Sequence, residues 1–134
     1  MPYFLAKTDP DTYSLDDLER EKKAVWDGVT NPQALRAIRE MRPGDRVFVY
    51  HSGGQSAVVG LAEVVSDPRP DPSNARLAVV DLAFAGRLDP PVTLAEIKAS
   101  GLFNDWALVR QGRLSTMPAP DAFARWMRKK GARL

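Results

Sequence analysis

The only histidine of the chain lies in a stretch of three polar side chains, Tyr50, His51 and Ser52. They end an apolar run, and Gly53 and Gly54 follow them. An imidazole, with a reference pKa near 6.5, can change its charge or its hydrogen bonds close to neutral pH. His51 and Ser52 do not form a catalytic pair, because adjacent side chains in a strand point to opposite faces. Two interpretations remain: a packed core histidine, or one wall of a ligand pocket.

Trp26 is the second candidate, followed by Gly28 and then by Asn31 and Pro32, which begin a predicted helix. We expect Trp26 to lie in a loop, where its ring either closes the core or forms a platform for a flat ligand. Gly28 allows close approach of the backbone, and the helix N-terminus after it offers free N–H donors. A nucleobase is a flat ligand with hydrogen-bonding edges and suits this combination.

The sequence contains little evidence for an enzymatic or metal-binding site. There is no glycine-rich dinucleotide motif, no P-loop and no serine nucleophile motif. One histidine and no cysteine leave little for a zinc site. The acidic pair Asp16 and Asp17 is explained by the start of a helix. We therefore expect a non-enzymatic protein with no metal and no cofactor.

Composition predicts a single domain over residues 1–134. The apolar fraction is 44%, which is ordinary for a globular fold. Charges interrupt every apolar stretch well short of the roughly 20 residues that a membrane-spanning helix needs. The first residues have no basic segment typical of a signal peptide, and the absence of cysteine favours a reducing compartment. We expect a cytoplasmic protein with no membrane partner.

A basic segment lies near the C-terminal end. From Arg110 to Leu134 seven basic residues face Asp121 alone, a charge of +6, whereas the whole chain carries only +2. Such a segment indicates a polyanionic partner; the alternative is a solvated helix face. The phosphate contacts that we predict in it are Arg110, Arg125, Arg128, Lys129 and Lys130.

The pattern of elements predicts an α+β fold. Helix starts are expected at Ser14, at Asn31 with Pro32, at Thr93 with Glu96 as a capping box, and at Pro120. The last helix should bury one face formed by Phe123, Trp126 and Met127. Strand-like runs cover residues 3–7, 46–52, 57–65 and 77–85, with a last pair of strands at 106–109 and 114–116. We expect a partly open barrel of about five to seven mostly antiparallel strands, with short helices packed around it.

Five blocks of sequence, taken in order, resemble the motifs of one family. They are KTDPDTYSLDDL (7–18), WDGVTNPQA (26–34), PGDRVFVYHS (43–52), VVGLAEV (58–64) and LVRQGRLS (108–115). Together they are similar to the EVE domain of the PUA-like superfamily, which includes the YTH and ASCH domains. The similarity runs from Pro2 to about Met127.

The resemblance implies a PUA-like pseudobarrel whose cleft takes a modified base flipped out of a nucleic acid, with a modified cytosine in DNA as the expected ligand. Trp106 stands where the family more often has an apolar residue, so it is either a second aromatic wall or core. The residues that the resemblance assigns to the pocket are Lys7, Thr8, Asp9, Trp26, Gly28, Val29, Asn31, Tyr50, His51, Ser52, Trp106, Leu108, Arg113 and Ser115.

This chain departs from the family pattern at two basic positions. Thr30 and Leu35 stand where the family usually has arginine, and Arg36 is the candidate that replaces them as a phosphate contact. Two alternatives stay open. One is an RNA-binding module of the PUA type. The other is a nucleoside amidohydrolase like some ASCH domains, using Lys7, Thr8 and Glu63.

Overall fold

The computed structural model describes residues 2–54 and 56–134 of the chain. Within these residues the helices are α1 (Leu15–Glu21), α2 (Pro32–Glu40), α3 (Leu94–Ser100), α4 (Ala107–Arg110) and α5 (Asp121–Lys129). The strands are β1 (Tyr3–Thr8), β2 (Lys23–Trp26), β3 (Arg46–His51), β4 (Ala57–Val64), β5 (Arg69–Asp71), β6 (Asn74–Thr93) and β7 (Thr116–Ala119).

The strands form one hydrogen-bonded path in the order β2-β6-β4-β3-β1-β7, and β5 pairs with β6 beside it. β1 and β3 run parallel, and the other pairs are antiparallel. The two ends of the path, β2 and β7, are not hydrogen-bonded to each other. Because α2 packs against both β6 and β7, the sheet must curl round it as an open barrel. The predicted fold class, with its mostly antiparallel strands, is confirmed.

Aromatic side chains fill one side of the core. Phe123 of α5 packs edge-on against Phe48 of β3 and against Phe103, with ring centroids 5.0 and 5.3 Å apart. Trp106 lies 4.6 Å from Phe123, and Trp126 lies 5.8 Å from it. Met127 is fully buried on the same helix. The predicted apolar face of the last helix is confirmed.

Local capping chemistry fixes where three helices begin. The Ser14 hydroxyl accepts from the Asp17 N–H, and the Asp17 carboxylate accepts from the Ser14 N–H, so the capping box of α1 is complete. The Asn31 side chain accepts from two N–H groups of the first turn of α2. Thr93 and Glu96 form the capping box of α3. These predicted starts are confirmed, because a cap depends only on neighbours in sequence.

Two predictions about local structure are wrong. Trp26 does not lie in a loop: it ends β2, where it pairs with Val80. Residues 106–109 do not form a strand, since Ala107–Arg110 is a single helical turn preceded by Trp106. The strand predicted at 114–116 begins later, at Thr116. No helix in the described parts of the chain has the length and apolarity to cross a membrane.

Candidate ligand-binding cleft

A cleft of about 500 Å³ lies between β2 and the C-terminal end of β1. Since β1 pairs with β7 and β2 begins the other end of the sheet path, the cleft occupies the gap where the barrel stays open. We call it the Trp26 cleft. It is lined by Lys7, Thr8, Thr12, Tyr13, Ala24, Val25, Trp26, Asp27, Gly28, Val29 and Ser115.

Trp26 connects this cleft to the core. Its side chain is 8% exposed and belongs to the buried apolar cluster. The Tyr13 ring meets it edge-on, with centroids 6.4 Å apart. The Tyr13 hydroxyl donates to the Glu21 carboxylate at 2.8 Å, and burial together with this acceptor raises the pKa of Tyr13 to about 12. The Trp26 ring is therefore held in one orientation before any ligand enters.

Polar groups of β1 form the opposite wall. The Thr8 hydroxyl donates to the Tyr13 carbonyl at 2.6 Å, which ties the β1–α1 loop to the strand. The Lys7 ammonium donates to the Gly112 carbonyl at 3.0 Å and lies 5.5 Å from the centre of the Tyr50 ring. Burial lowers the pKa of Lys7. An ammonium has three N–H donors, so Lys7 can also donate to an acceptor in the cleft.

The remaining wall is small and apolar. Val25 is 49% exposed although it is a large apolar residue, and Val29 is buried beside it in the lining. Gly28 has φ +75°, a left-handed conformation, and a Cβ built on it would meet no atom within 4 Å. The cleft therefore offers one aromatic wall, aliphatic surface and a few fixed polar groups, the usual composition of small-molecule sites.

The structure gathers six of the predicted pocket residues at this cleft. They are Lys7, Thr8, Trp26, Gly28, Val29 and Ser115. Two predicted neighbours instead maintain local structure: the Asp9 carboxylate accepts from the Asp11 N–H, and the Asn31 side chain caps α2.

The other predicted pocket residues lie outside the lining. Tyr50 is buried beneath the Lys7 ammonium, and the Ser52 N–H donates to the Thr8 carbonyl at 3.0 Å. Leu108 is a core residue, and Arg113 is exposed. The assignment of Trp106 to the pocket is corrected: its indole N–H donates to the Pro118 carbonyl at 2.9 Å within the aromatic core.

His51 has a structural partner. Its Nε2 accepts from the Leu15 N–H at 3.0 Å, so the imidazole satisfies the first free N–H of α1. This bond requires an unprotonated Nε2. Burial lowers the pKa of His51; the nearby Asp16 carboxylate opposes that shift and Arg87 adds to it. His51 therefore anchors α1 to the end of β3 and is absent from the Trp26 cleft.

We expect the free energy of unfolding to fall as the pH drops through the reference value of about 6.5. A lowered folded-state pKa means that the unfolded chain binds the proton of His51 more readily, so the loss begins near the reference value of about 6.5 and levels off below the folded pKa. His51→Gln should remove this step. Chemical denaturation at a series of pH values measures it, and a step that survives in the variant would contradict this role.

The predicted phosphate contacts do not surround the cleft. Arg128 of α5 donates to the Tyr3 hydroxyl, and Lys130 donates to Glu96 at 3.1 Å. Tyr3 begins β1, whereas Thr8 ends it at the cleft, a separation of roughly 16 Å along a strand. Arg125 and Lys129 are exposed on the same helix, and Arg110 is 3.5 Å from Asp105. Arg36 is exposed on α2, the helix that begins beside the cleft.

Sequence reasoning missed five lining residues. Tyr13 and Thr12 come from the loop after β1, and Ala24, Val25 and Asp27 come from or follow β2. Of these five, only Tyr13 could have been predicted from the sequence, since it directly precedes the helix cap Ser14 and an aromatic residue there often packs locally. Among the described residues no group of histidines and acidic side chains is arranged to hold a metal ion.

Three comparisons place this chain among known proteins. Thymocyte nuclear protein 1 of Rattus norvegicus is 30% identical over 152 residues, which cover 87% of this chain and 67% of the rat protein. A solved structure from Rhodopseudomonas palustris is 35% identical with a TM-score of 0.91, over 98% of this chain and 93% of that one. Human THYN1 protein in complex with 5-methylcytosine-containing DNA is 22% identical with a TM-score of 0.87, over the full length of both chains, and shares the fold.

The family model of the EVE domain matches residues 2–130, nearly the whole chain. This match agrees with the five sequence blocks and with the curled sheet that leaves a cleft between its ends. The chain belongs to the EVE domain family.

Proposed function

We propose that this protein is a non-enzymatic nucleic-acid-binding module that holds a modified base, flipped out of DNA, in the Trp26 cleft. The observation that carries the proposal is the combination of the Trp26 ring with aliphatic side chains and a lysine donor in an open cleft of about 500 Å³. An aromatic face stacks on any base, and Val25 and Val29 can accept a methyl group that a polar wall would exclude.

5-Methylcytosine is the first candidate ligand. The human THYN1 protein, which has the same fold, has been solved with DNA containing this base. Lys7 can donate to the ring carbonyl of a pyrimidine, and the backbone around Gly28 can approach a flat ligand closely. Stacking of about 1–3 kcal/mol must offset an unpairing cost of a few kcal/mol, so the single-stranded form should bind more tightly.

The amidohydrolase alternative is disfavoured by geometry. Glu63 forms an ion pair with Arg46 at 3.4 Å, and Arg46 pairs with Tyr3 at the far end of β1 from Lys7 and Thr8. The three residues that such an enzyme would use are thus not assembled.

Gly28→Asn tests the proposal by narrowing the cleft with less backbone strain than most side chains would cause, because asparagine tolerates a positive φ better than they do. We expect the variant to remain folded and to bind a 5-methylcytosine oligonucleotide at least tenfold more weakly than wild type, measured by fluorescence anisotropy. Gly101→Asn is the matched control, since Gly101 also has a positive φ and open space but ends α3.

Matched cytosine, 5-methylcytosine and RNA oligonucleotides make up the panel. Equal binding of all three by wild type would overturn modified-base recognition, and tighter binding of RNA would favour the RNA-binding module. Turnover of an acylated nucleoside would contradict a non-enzymatic role.

A further inference from the structure

A second cleft, of about 480 Å³, lies between the C-terminal end of α2 and the β5–β6 hairpin. Three arginines line it: Arg39 from the last turn of α2, Arg42 from the turn after that helix, and Arg69 from β5. Pro68, Pro70 and Leu77 add apolar surface. We call it the arginine cleft. We propose that it binds the sugar–phosphate backbone of the nucleic acid whose base occupies the Trp26 cleft, an inference that rests on the proposed function.

The charges of Arg39 and Arg42 are uncompensated. Arg39 donates to the Arg76 carbonyl at 2.8 Å, and Arg42 donates to the Arg39 and Met41 carbonyls at 2.8 and 2.6 Å. Neither has a carboxylate partner in the part of the chain that the structure describes. Carbonyls fix the two guanidinium groups and leave their charge free for an anion.

The acidic groups nearby leave the cleft cationic. Arg69 is paired with Asp81 at 3.0 Å, and Asp67 is the one carboxylate among the described lining residues. Among the described lining residues, three arginines therefore face one carboxylate; the Asp45 carboxylate, which accepts from the Arg42 backbone N–H at 2.9 Å, lies outside this lining. Phosphate oxygens accept from guanidinium groups in bidentate geometry, and the prolines and Leu77 suit the apolar faces of sugars.

Helix α2 connects the two clefts. Val29 lines the Trp26 cleft, α2 begins at Pro32, and Arg39 lies near its end. Seven residues of helix span roughly 10 Å. Arg36 is exposed between them, one turn from Arg39. This distance corresponds to about three nucleotides along one strand of a duplex.

Acidic residues on the β1 side of the Trp26 cleft disfavour the route away from α2. Asp9 and Asp11 are exposed there beside Thr8 and Thr12, whereas Asp27 lines the cleft on the β2 side. Phosphates crossing this rim would meet carboxylates, whereas a strand that runs along α2 meets Arg36 and then the arginine cleft. The positions of Asp9, Asp11, Arg36 and the arginine cleft therefore favour the route along α2.

The test compares the paired variant Arg39→Gln/Arg42→Gln with Arg125→Gln/Lys129→Gln, which removes the same charge from α5. Each phosphate contact contributes about 0.7–0.9 to the slope of log affinity against log salt, so the first variant should lower that slope by roughly 1.5 on a probe of about thirteen nucleotides. Affinity should fall roughly five- to tenfold for modified and unmodified probes alike, because phosphate contacts position the strand without specifying sequence. The α5 variant should change little.

Probe length gives a second readout. A trinucleotide probe with the modified base at its centre has one nucleotide on each side, which is shorter than the roughly 10 Å of α2 between the clefts, so wild type and Arg39→Gln/Arg42→Gln should bind it equally. Because Arg42 also stabilises the end of α2, the variant Arg39→Gln/Arg42→Gln could fail to fold. In that case the single variant Arg39→Glu replaces it in both measurements.

The outcomes separate the inference from the proposed function. If wild type selects the modified base but Arg39→Gln/Arg42→Gln keeps the wild-type salt slope, the inference alone is overturned. A salt slope that falls only in the α5 variant would overturn it as well. If poly-glutamate displaced the bound probe as well as an oligonucleotide of equal charge does, the arginine cleft would instead be assigned to an acidic protein segment. A wild type that binds no oligonucleotide would overturn both.

Discussion

Trp26→Leu is expected to remain folded and to lose most of its affinity for a modified oligonucleotide. Leucine keeps apolar volume in a side chain that is 8% exposed, but it cannot stack on a base. Loss of about 1–3 kcal/mol of stacking corresponds to roughly 5- to 150-fold weaker binding. Trp26→Phe keeps a ring and should retain most of the affinity. Anisotropy titrations with thermal melts on both variants measure the two effects separately.

Trp26→Ala should behave differently, because the same ring also closes the core. Removing a buried tryptophan typically costs about 3–5 kcal/mol, and Trp26 packs against Tyr13 and the buried cluster. The alanine variant should therefore melt far below wild type and cannot by itself separate binding from folding. If Trp26→Leu bound the modified probe as tightly as wild type, the ring would be a core residue only.

Gly60→Ala should destabilise the fold. A Cβ on Gly60 would lie 2.5 Å from the Gly86 carbonyl oxygen and 2.6 Å from Leu15 Cδ2. The strand backbone cannot move away without breaking its pairing with β6. We expect a loss of about 1–3 kcal/mol, or roughly 4–12 °C in Tm.

Gly86→Ala is the matched control on the neighbouring strand. Its Cβ would meet no atom within 4 Å, so its free energy of unfolding should stay within about 0.5 kcal/mol of wild type. Equal melting temperatures for the two variants would show that the close approach of Leu15 to β4 is not required.

The parts of the fold that could be predicted are those set by neighbours in sequence. Ser14, Asn31 and Thr93 each cap their own helix, and a cap is complete within a few residues. The three long strand runs could also be predicted, because β-branched and aromatic residues between turn residues are typical of buried strands.

The failures arise where distant partners decide the conformation. Lys23–Trp26 is an edge strand of four residues whose burial alternates, but the apolar Val25 occupies an exposed position, so the sequence lacks the polar–apolar alternation that reveals longer strands. Trp106 and the residues after it have strand-like side chains, yet the packing of Trp106 against Phe123 holds them in a helical turn.

Only part of the lining of the Trp26 cleft could be predicted from the sequence. Trp26 was found because it precedes a glycine and a recognisable helix start, whereas Lys7 and Thr8 were found through the resemblance to the EVE domain. Tyr13 and Val25 were missed, because they reach the cleft only when β2 approaches the end of β1, and these two strands share no hydrogen bond. His51 was ambiguous because its partner is a backbone N–H thirty-six residues away in sequence.

The open barrel has a mechanical consequence for the Trp26 cleft. Its two walls belong to opposite ends of one path of paired strands. The width of the gap between them therefore depends on the summed twist of every strand pair from β2 to β7. The β4–β6 pairing contains register shifts at Val58/Gly60 and Leu61/Ala62, and such irregularities increase local twist. Side chains in the middle of the sheet, far from the Trp26 cleft, thereby set the width of its opening.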